Sequence, residues 1–391
     1  MSERIMAARG ARVELPYLDG LRGAAALMVV AFHAFLYTGK SGSSKAAMPY
    51  WDHIIGFGYL GVAIFIVLSG YVLMLPLVRT PELEFKGGIP AFVKRRARRI
   101  LPPYYAAVLF ALLLIGMFTV LQQPHGTAWD SKLPVTWPSV ISHLLLLHDL
   151  SPDWIVTING PLWSVAVEWQ IYFVMALVLV PLWRRIPAPV IVAVLLGLTL
   201  IPAVTGFGAF VHPWFVALFA AGMWAAQLTL SSTPPRLVGL CAILLAASLP
   251  FVTVGAKVFS LPTLPFVEII SGLATAAALV WVGRRAIAGE SNPLVKPFQS
   301  RPMMFVGLIS YSIYLFHSPV LGLLNLLTLP LHLPTVMQYL MLTFIGIPIA
   351  LGVSWGMFWL VERHFLNTHQ RRAEAELSRS ASDVTRGRAS R

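Results

Sequence analysis

Ten stretches of about 20 apolar residues recur along this chain, each bounded by charged residues or by proline and glycine, and no other feature constrains its fold as strongly. A bilayer core is about 30 Å thick, and a helix rising about 1.5 Å per residue needs roughly that many apolar residues to cross it. In order, the spans fall near residues 22–38, 55–78, 101–121, 161–182, 188–204, 208–228, 236–254, 264–282, 303–328 and 335–361. Only 12% of the residues are charged, about half the share of a soluble domain. The fold class is therefore all-α: a polytopic integral membrane helix bundle of about ten transmembrane helices. The break at 205–207 is the weakest division, because it alone separates the fifth span from the sixth.

Charge orients the bundle. Taking the breaks alternately, one set holds 25 of the 29 Lys and Arg residues, and the other holds only Lys40, Lys45, Lys132 and Lys257. Basic residues are retained on the cytoplasmic side, so the richer set and both termini are expected there. The net charge of +13 is then a topology signal; dispersed over many loops without a recognition motif, it argues against nucleic acid as a partner. The Ala/Arg/Val-rich composition fits a bacterium, so the expected location is the inner (plasma) membrane, with the lipid bilayer as solvent. Cys241, inside an apolar run, excludes an intrachain disulfide and a cysteine metal cage, and no metal is expected. The basic start followed by an apolar run imitates a signal peptide, but polar residues within that run argue against cleavage. The expected organisation is a cytoplasmic segment 1–16, a membrane domain 17–365, and a basic tail 366–391 with almost nothing apolar to bury, which reads as disordered. No pair of halves with matched broken helices is visible, which disfavours a carrier.

Ionisable groups inside a span cost about 2.5–3.5 kcal/mol on insertion scales, so each is a candidate site. Arg22 and His33 are eleven residues apart in the first span, which puts them about 20° apart around a helix and about 16 Å apart along it. That length is comparable to an extended pantetheine arm, so Arg22 could hold phosphates at the inner edge while His33 meets a thioester. Counted from the span ends, His33 sits about 22 Å up, His317 in SYSIYLFHSPV lies at a similar depth, and Glu168 in GPLWSVAVEWQIYF is about 10 Å below the outer edge. All three fall near one level. A neutral histidine can accept a proton from a hydroxyl and a carboxylate can orient it, which makes His33 and Glu168 the catalytic candidates.

Each has a plainer alternative. Arg22 can snorkel to the interface, His33 can be satisfied by a neighbouring helix, Glu168 can bond a Trp or Tyr, and His317 can belong to a packing network with Ser310, Tyr311 and Tyr314. Asp19, just ahead of the first apolar run, reads as an N-cap. The run Lys94-Arg95-Arg96-Ala97-Arg98-Arg99 is denser than topology needs, and its guanidinium forks match the phosphates of coenzyme A; an anionic-lipid patch is the alternative.

Together these segments resemble the acyltransferase-3 family of integral membrane O-acyltransferases. YLDGLRGAAALMVVAFH is similar to that family's opening signature, with Arg22 and His33 in its Arg-x10-His spacing. Arg95, Arg96 and Arg99 before Ile100-Leu101-Pro102 match its basic motif, PLWSVAVEWQIYF resembles its third motif with Glu168 at the acidic position, and SYSIYLFH resembles its late helix. The likeness covers roughly 17–365. It implies a ten-helix fold and transfer of acetyl or another short acyl group from cytoplasmic acyl-CoA, acetyl-CoA first, with no permanently bound cofactor. The implied acceptors are carbohydrates, glycolipids, cell-surface polysaccharides or macrolides. Residues and resemblance together nominate His33 and Glu168 for catalysis, Arg22, Arg95, Arg96 and Arg99 for the donor, and His317, Tyr311 and Trp163 as support for the site. Some members carry an SGNH-type esterase domain after the membrane unit; the short stretch after the last span leads to the expectation of a stand-alone membrane unit. A transporter or flippase of a lipid-linked or acylated sugar is the competing expectation. A purely structural membrane protein leaves the shared face of Arg22 and His33 unexplained.

Overall fold

The computed structural model of the chain describes residues 15–80, 82–231, 235–258, 262–290, 292–366, 371 and 374. The segment 1–14 and nearly all of the tail after 366, for which disorder is the sequence reading, lie outside the described residues. Ten helices among the described residues are long and apolar enough to cross a membrane. They are α1 (Tyr17–Tyr37), α2 (Pro49–Arg79, regular over Gly61–Met74), α3 (Gly88–Met117), α4 (Leu162–Trp183), α5 (Ala188–Thr205), α6 (Ala209–Thr229), α7 (Arg236–Gly255), α8 (Thr263–Ile287), α9 (Ser310–Leu331) and α10 (Thr335–Leu360). The doubtful break at 205–207 is real: Gly206 caps α5 at a φ of 74°, a conformation open to glycine at no steric cost.

The largest departure from the sequence expectation is α3, which starts at Gly88 instead of near 101. Lys and Arg are good helix formers, so the basic run forms the first turns of the helix and is not a loop. Pro102 and Pro103 remove two backbone donors, so the carbonyls of Arg98 and Arg99 lose their i+4 partners. Tyr311 of α9 donates to the adjoining carbonyl of Ile100 at 3.1 Å, tying the two helices at this weak point. Wide turns at Met175–Leu179 in α4 and Leu342–Gly346 in α10 each stand just ahead of a proline, Pro181 and Pro348, whose missing N–H forces the ladder to re-pair. Asp19 is not the N-cap: Pro16 holds that position, and Asp19 stands in the first turn, where its charge meets the positive end of the helix dipole.

Glycine lets α1 occupy the centre of the bundle. A Cβ on Gly20 would stand 1.8 Å from the carbonyl oxygen of Phe298, and one on Gly307 would stand 2.0 Å from that of Asp19. No larger residue fits at this separation, so the backbone of α1 lies directly on the segment Arg301–Leu308. On its other sides α1 packs against Ile55–Leu60, α2 and α9. The most enclosed crossing is α9, with 72% of its apolar window buried, whereas α7 buries 6% and turns its apolar side chains outward. Polar groups on α1 and α9 therefore face protein.

Candidate active site

At the basic end of the bundle a cavity of about 230 Å³ is lined by Arg22 of α1, Ser69 of α2, Arg96 and Arg99 of α3, Glu168 and Tyr172 of α4, and Tyr311 of α9. Arg22 Nε is buried with no hydrogen-bond partner among the described residues. Arg99 is committed on one side: its Nη2 meets Glu362 Oε1 at 2.6 Å, while Glu362 Oε2 accepts from the Ser312 N–H at 2.9 Å and the Ser312 hydroxyl at 2.5 Å. The Arg99 guanidinium also sits 5.4 Å from the centre of the Tyr311 ring, and its Nη1 is left without a partner. Glu168 Oε1 accepts from Ser69 Oγ at 2.5 Å and from the Tyr172 hydroxyl, one helical turn away, at 2.6 Å. Arg96 lies within electrostatic reach of Glu168 and Tyr172. Three cations thus share a chamber with Glu168, and Glu362 offsets only Arg99. Such a surplus of guanidinium donors suits phosphate oxygens.

Arg95 is absent from this chamber. It is exposed and donates to the Lys86 carbonyl at 2.9 Å, because the 100° step from Arg96 turns it off the cavity face.

The chamber continues away from the basic end. A narrower cavity of about 40 Å³ shares Arg22, Phe65, Ser69, Glu168 and Tyr311 with the first and extends to Ser164 and Tyr314, whose hydroxyls are 2.6 Å apart. Beyond it the Tyr314 ring lies 6.1 Å from that of His317.

His317 and His33 form a directed pair. His317 is fully buried, and its Nδ1 lies 2.9 Å from the Ile313 carbonyl oxygen, which only accepts. That nitrogen therefore carries the proton, and Nε2 presents its lone pair to His33 Nδ1 at 3.2 Å. His33 Nδ1 is also 2.9 Å from the Val29 carbonyl oxygen. Facing two acceptors, it holds the proton, and the pattern assigns the basic lone pair of His33 to Nε2. His33 is partly exposed where His317 is not, so a hydroxyl can meet the pair only at His33.

Glu168 does not join the histidines. Ser164 and Tyr314 mark a common level; His317 lies three residues outward from it on α9 and Glu168 four residues inward on α4, an offset of about 10 Å. Residue counts from span ends placed all three together because they carried the error of every assumed helix start. Trp163 lies outside both cavities and stacks on His212, with ring centres 4.1 Å apart. Tyr311 lines both.

Three residues of the site carry no clear sequence signal. Ser69 and Tyr172 are polar without being ionisable, and Glu362 acts on a partner 263 positions away. Lys132, which lines neither cavity, is a further buried polar residue: it is 6% exposed, and burial pulls its ammonium down to about 8. Its place in the set of breaks that is otherwise poor in Lys and Arg was the available clue.

Residues 15–359 match the acyltransferase-3 family model, described as an acyltransferase domain. The chain is similar to the peptidoglycan O-acetyltransferase OatA of Listeria monocytogenes, with 24% identity over 344 residues covering 81% of this chain and 50% of that protein. It is similar to the acyltransferase MdmB of Streptomyces mycarofaciens, with 30% identity over 180 residues, 44% of this chain and 40% of that one. The O-acetyltransferase OatA of Staphylococcus aureus is 26% identical over 338 residues, 80% of this chain and 51% of that protein. The chain spans about half the length of the curated relatives it matches. No solved structure matches it.

Proposed function

This chain belongs to the acyltransferase-3 family, and we propose that it transfers a short acyl group, acetyl foremost, from acyl-CoA to a hydroxyl of a carbohydrate, glycolipid or macrolide-like acceptor. The observation that carries this reading is the arginine chamber and its continuation into the narrower cavity that reaches Tyr314, whose ring lies 6.1 Å from that of His317. Arg22 and Arg96, with the unpaired nitrogen of Arg99, hold the donor's phosphates at the basic end, which is the cytoplasmic side, as are both termini. From Arg22 the acyl thioester reaches about 16 Å along α1 to His33, the length of an extended pantetheine arm. His33 Nε2 takes the acceptor's proton, and His317 Nε2 keeps it basic by accepting a hydrogen bond from the His33 Nδ1–H. Glu168 orders the chamber through Ser69 and Tyr172 and balances Arg96, and does not contact the base. The carbohydrate class draws support from the peptidoglycan named for the Listeria relative.

The test uses the full-length chain in lipid nanodiscs with radiolabelled acetyl-CoA and a soluble peptidoglycan fragment. Release of free coenzyme A together with label on the carbohydrate is the expected result. Passage of an acylated sugar lipid across a bilayer with no loss of donor would instead make the chain a flippase.

A further inference from the structure

The segment between α3 and α4 brings one cation to the far side of the histidine pair. Its turn Ala128–Lys132 packs on α1, and Trp129 presses on Gly322 of α9, where an added Cβ would stand 2.5 Å from the indole. Asn159 Nδ2 donates to the Leu315 carbonyl at 2.9 Å, two residues short of His317. Lys132 is held between these anchors. Its carbonyl accepts from the Ile158 N–H at 3.1 Å, and its Nζ would stand 2.8 Å from a Cβ on Gly160, so glycine there makes room for the ammonium.

The ammonium is buried and poorly matched. Nζ donates to Ser131 Oγ at 2.9 Å, its other two protons have no partner among the described residues, and no carboxylate there forms an ion pair with it. Asp130, its neighbour in sequence, is occupied by the N–H groups of His125 and Gly126 and by the Thr127 hydroxyl. Lys40, a cation of the neighbouring α1–α2 connection, donates to the His125 carbonyl. The turn of Lys132 packs on α1, the helix that carries His33, and that ring lies within the electrostatic reach of the ammonium. Burying a cation without a counter-ion costs several kcal/mol, and such a cost within electrostatic reach of a base points to a functional group.

We propose that Lys132 is a catalytic residue, its ammonium facing the carbonyl oxygen of the donor thioester and stabilising the oxyanion that forms there; this rests on the acyl-transfer reading above. As the acceptor oxygen bonds the carbonyl carbon, its proton passes to His33 Nε2 and the carbonyl π pair becomes an oxyanion opposite Lys132. Collapse of the oxyanion breaks the C–S bond, and the thiolate leaves with the proton from His33. The new ester carries no charge, so the ammonium interacts most strongly with the transition state.

The charge is present at neutral pH and is lost as pH rises through about 8, so the transfer rate falls along that limb. In nanodiscs, with acetyl-CoA and a soluble peptidoglycan fragment, Lys132→Met is expected to lower the rate by about 10²–10³ with donor binding unchanged. Lys132→Arg, which keeps its proton, should retain part of the rate and lose the alkaline limb. A Lys132→Met protein that transfers within about threefold of wild type overturns the proposal, as does a wild-type rate that stays flat through pH 8. If the Met variant fails to accumulate, the comparison of wild type with Lys132→Arg decides: a limb present only in wild type supports the role, and a limb shared by both overturns it. Wild-type protein that releases no coenzyme A removes the acyl-transfer reading itself, whereas normal wild-type turnover with an unaffected Lys132→Met removes only this residue.

Discussion

The two ends of the site are polar in opposite ways. The basic chamber is crowded with charge: Glu362 fixes Arg99 and the hydroxyls of Ser69 and Tyr172 fix Glu168, while Arg22 Nε and Arg99 Nη1 keep donors to spare. Around the histidines, about 16 Å along α1, the polar atoms are paired through rings and backbone carbonyls, and Lys132 lacks a counter-ion among the described residues. Preorganised ion pairs suit recognition of an ionised ligand, since little reorders on binding. Weakly engaged groups suit chemistry, since a proton must move and a charge must appear. Under the proposed acyl transfer, the difference assigns binding and reaction to separate ends of a single helix, and each is expected to be removable without the other.

His33→Gln would break the comparison most severely. Glutamine keeps hydrogen-bonding capacity but cannot take the proton, so transfer should fall by about 10²–10⁴ while acetyl-CoA binding and accumulation stay at wild-type levels. A variant that folds and still acylates within a few-fold of wild type would move the base elsewhere. His317→Gln, which retains an acceptor for His33 Nδ1, should lose far less than His317→Leu; equal losses in the two would mean that His317 only packs.

Within the chamber, Arg99 and Arg22 should fail differently. Glu362→Ala strands a guanidinium that is otherwise paired at 2.6 Å and frees both donors of Ser312, so a loss of about 3–5 kcal/mol in stability is expected. Thermal unfolding in detergent, with and without donor, measures it. An unchanged midpoint would show that the pair is not holding the end of α10 onto α3 and α9.

Much of the fold was legible in the sequence, and the failures have physical causes. Span count and order could be read because a bilayer imposes a length on every crossing, and the face shared by Arg22 and His33 followed from helical geometry alone. The basic motif was misplaced in a loop because charge was taken as a boundary, although Arg and Lys propagate a helix as well as leucine does. Glu168 was placed too near His33 because depth was counted from uncertain ends. Lys132 went unrecognised because burial of a loop side chain depends on Trp129, Asn159 and Gly160 folding around it, and no local pattern encodes that.

Arg22→Ala and Arg96→Ala sharpen the comparison at lower cost. Each removes charge-assisted contacts worth about 1.5–3 kcal/mol, so donor affinity should weaken by roughly 10- to 100-fold, with turnover recovered at saturating acyl-CoA. Arg→Lys should rescue only in part, because an ammonium cannot engage two phosphate oxygens as a fork does. A variant that binds donor normally but turns over slowly would place these arginines in the chemistry and erase the distinction between the two ends.

The smallest effect belongs to Arg95, and it tests how the motif is read. A sequence comparison groups Arg95 with Arg96 and Arg99, so all three would be expected to weaken donor binding alike. In the structure Arg95 lies off the cavity face, is exposed, and donates only to the Lys86 carbonyl. Exposed contacts of this kind contribute little, so Arg95→Ala should change stability and donor affinity by no more than about 0.5 kcal/mol, roughly a factor of two. Isothermal titration of acetyl-CoA into Arg95→Ala and Arg96→Ala, prepared side by side, makes the contrast direct. A near-normal Arg95 variant beside a tenfold weaker Arg96 variant assigns recognition to the cavity face of α3. Equal weakening in both would mean that the donor wraps around the helix, and that the chamber described here is only part of its binding surface.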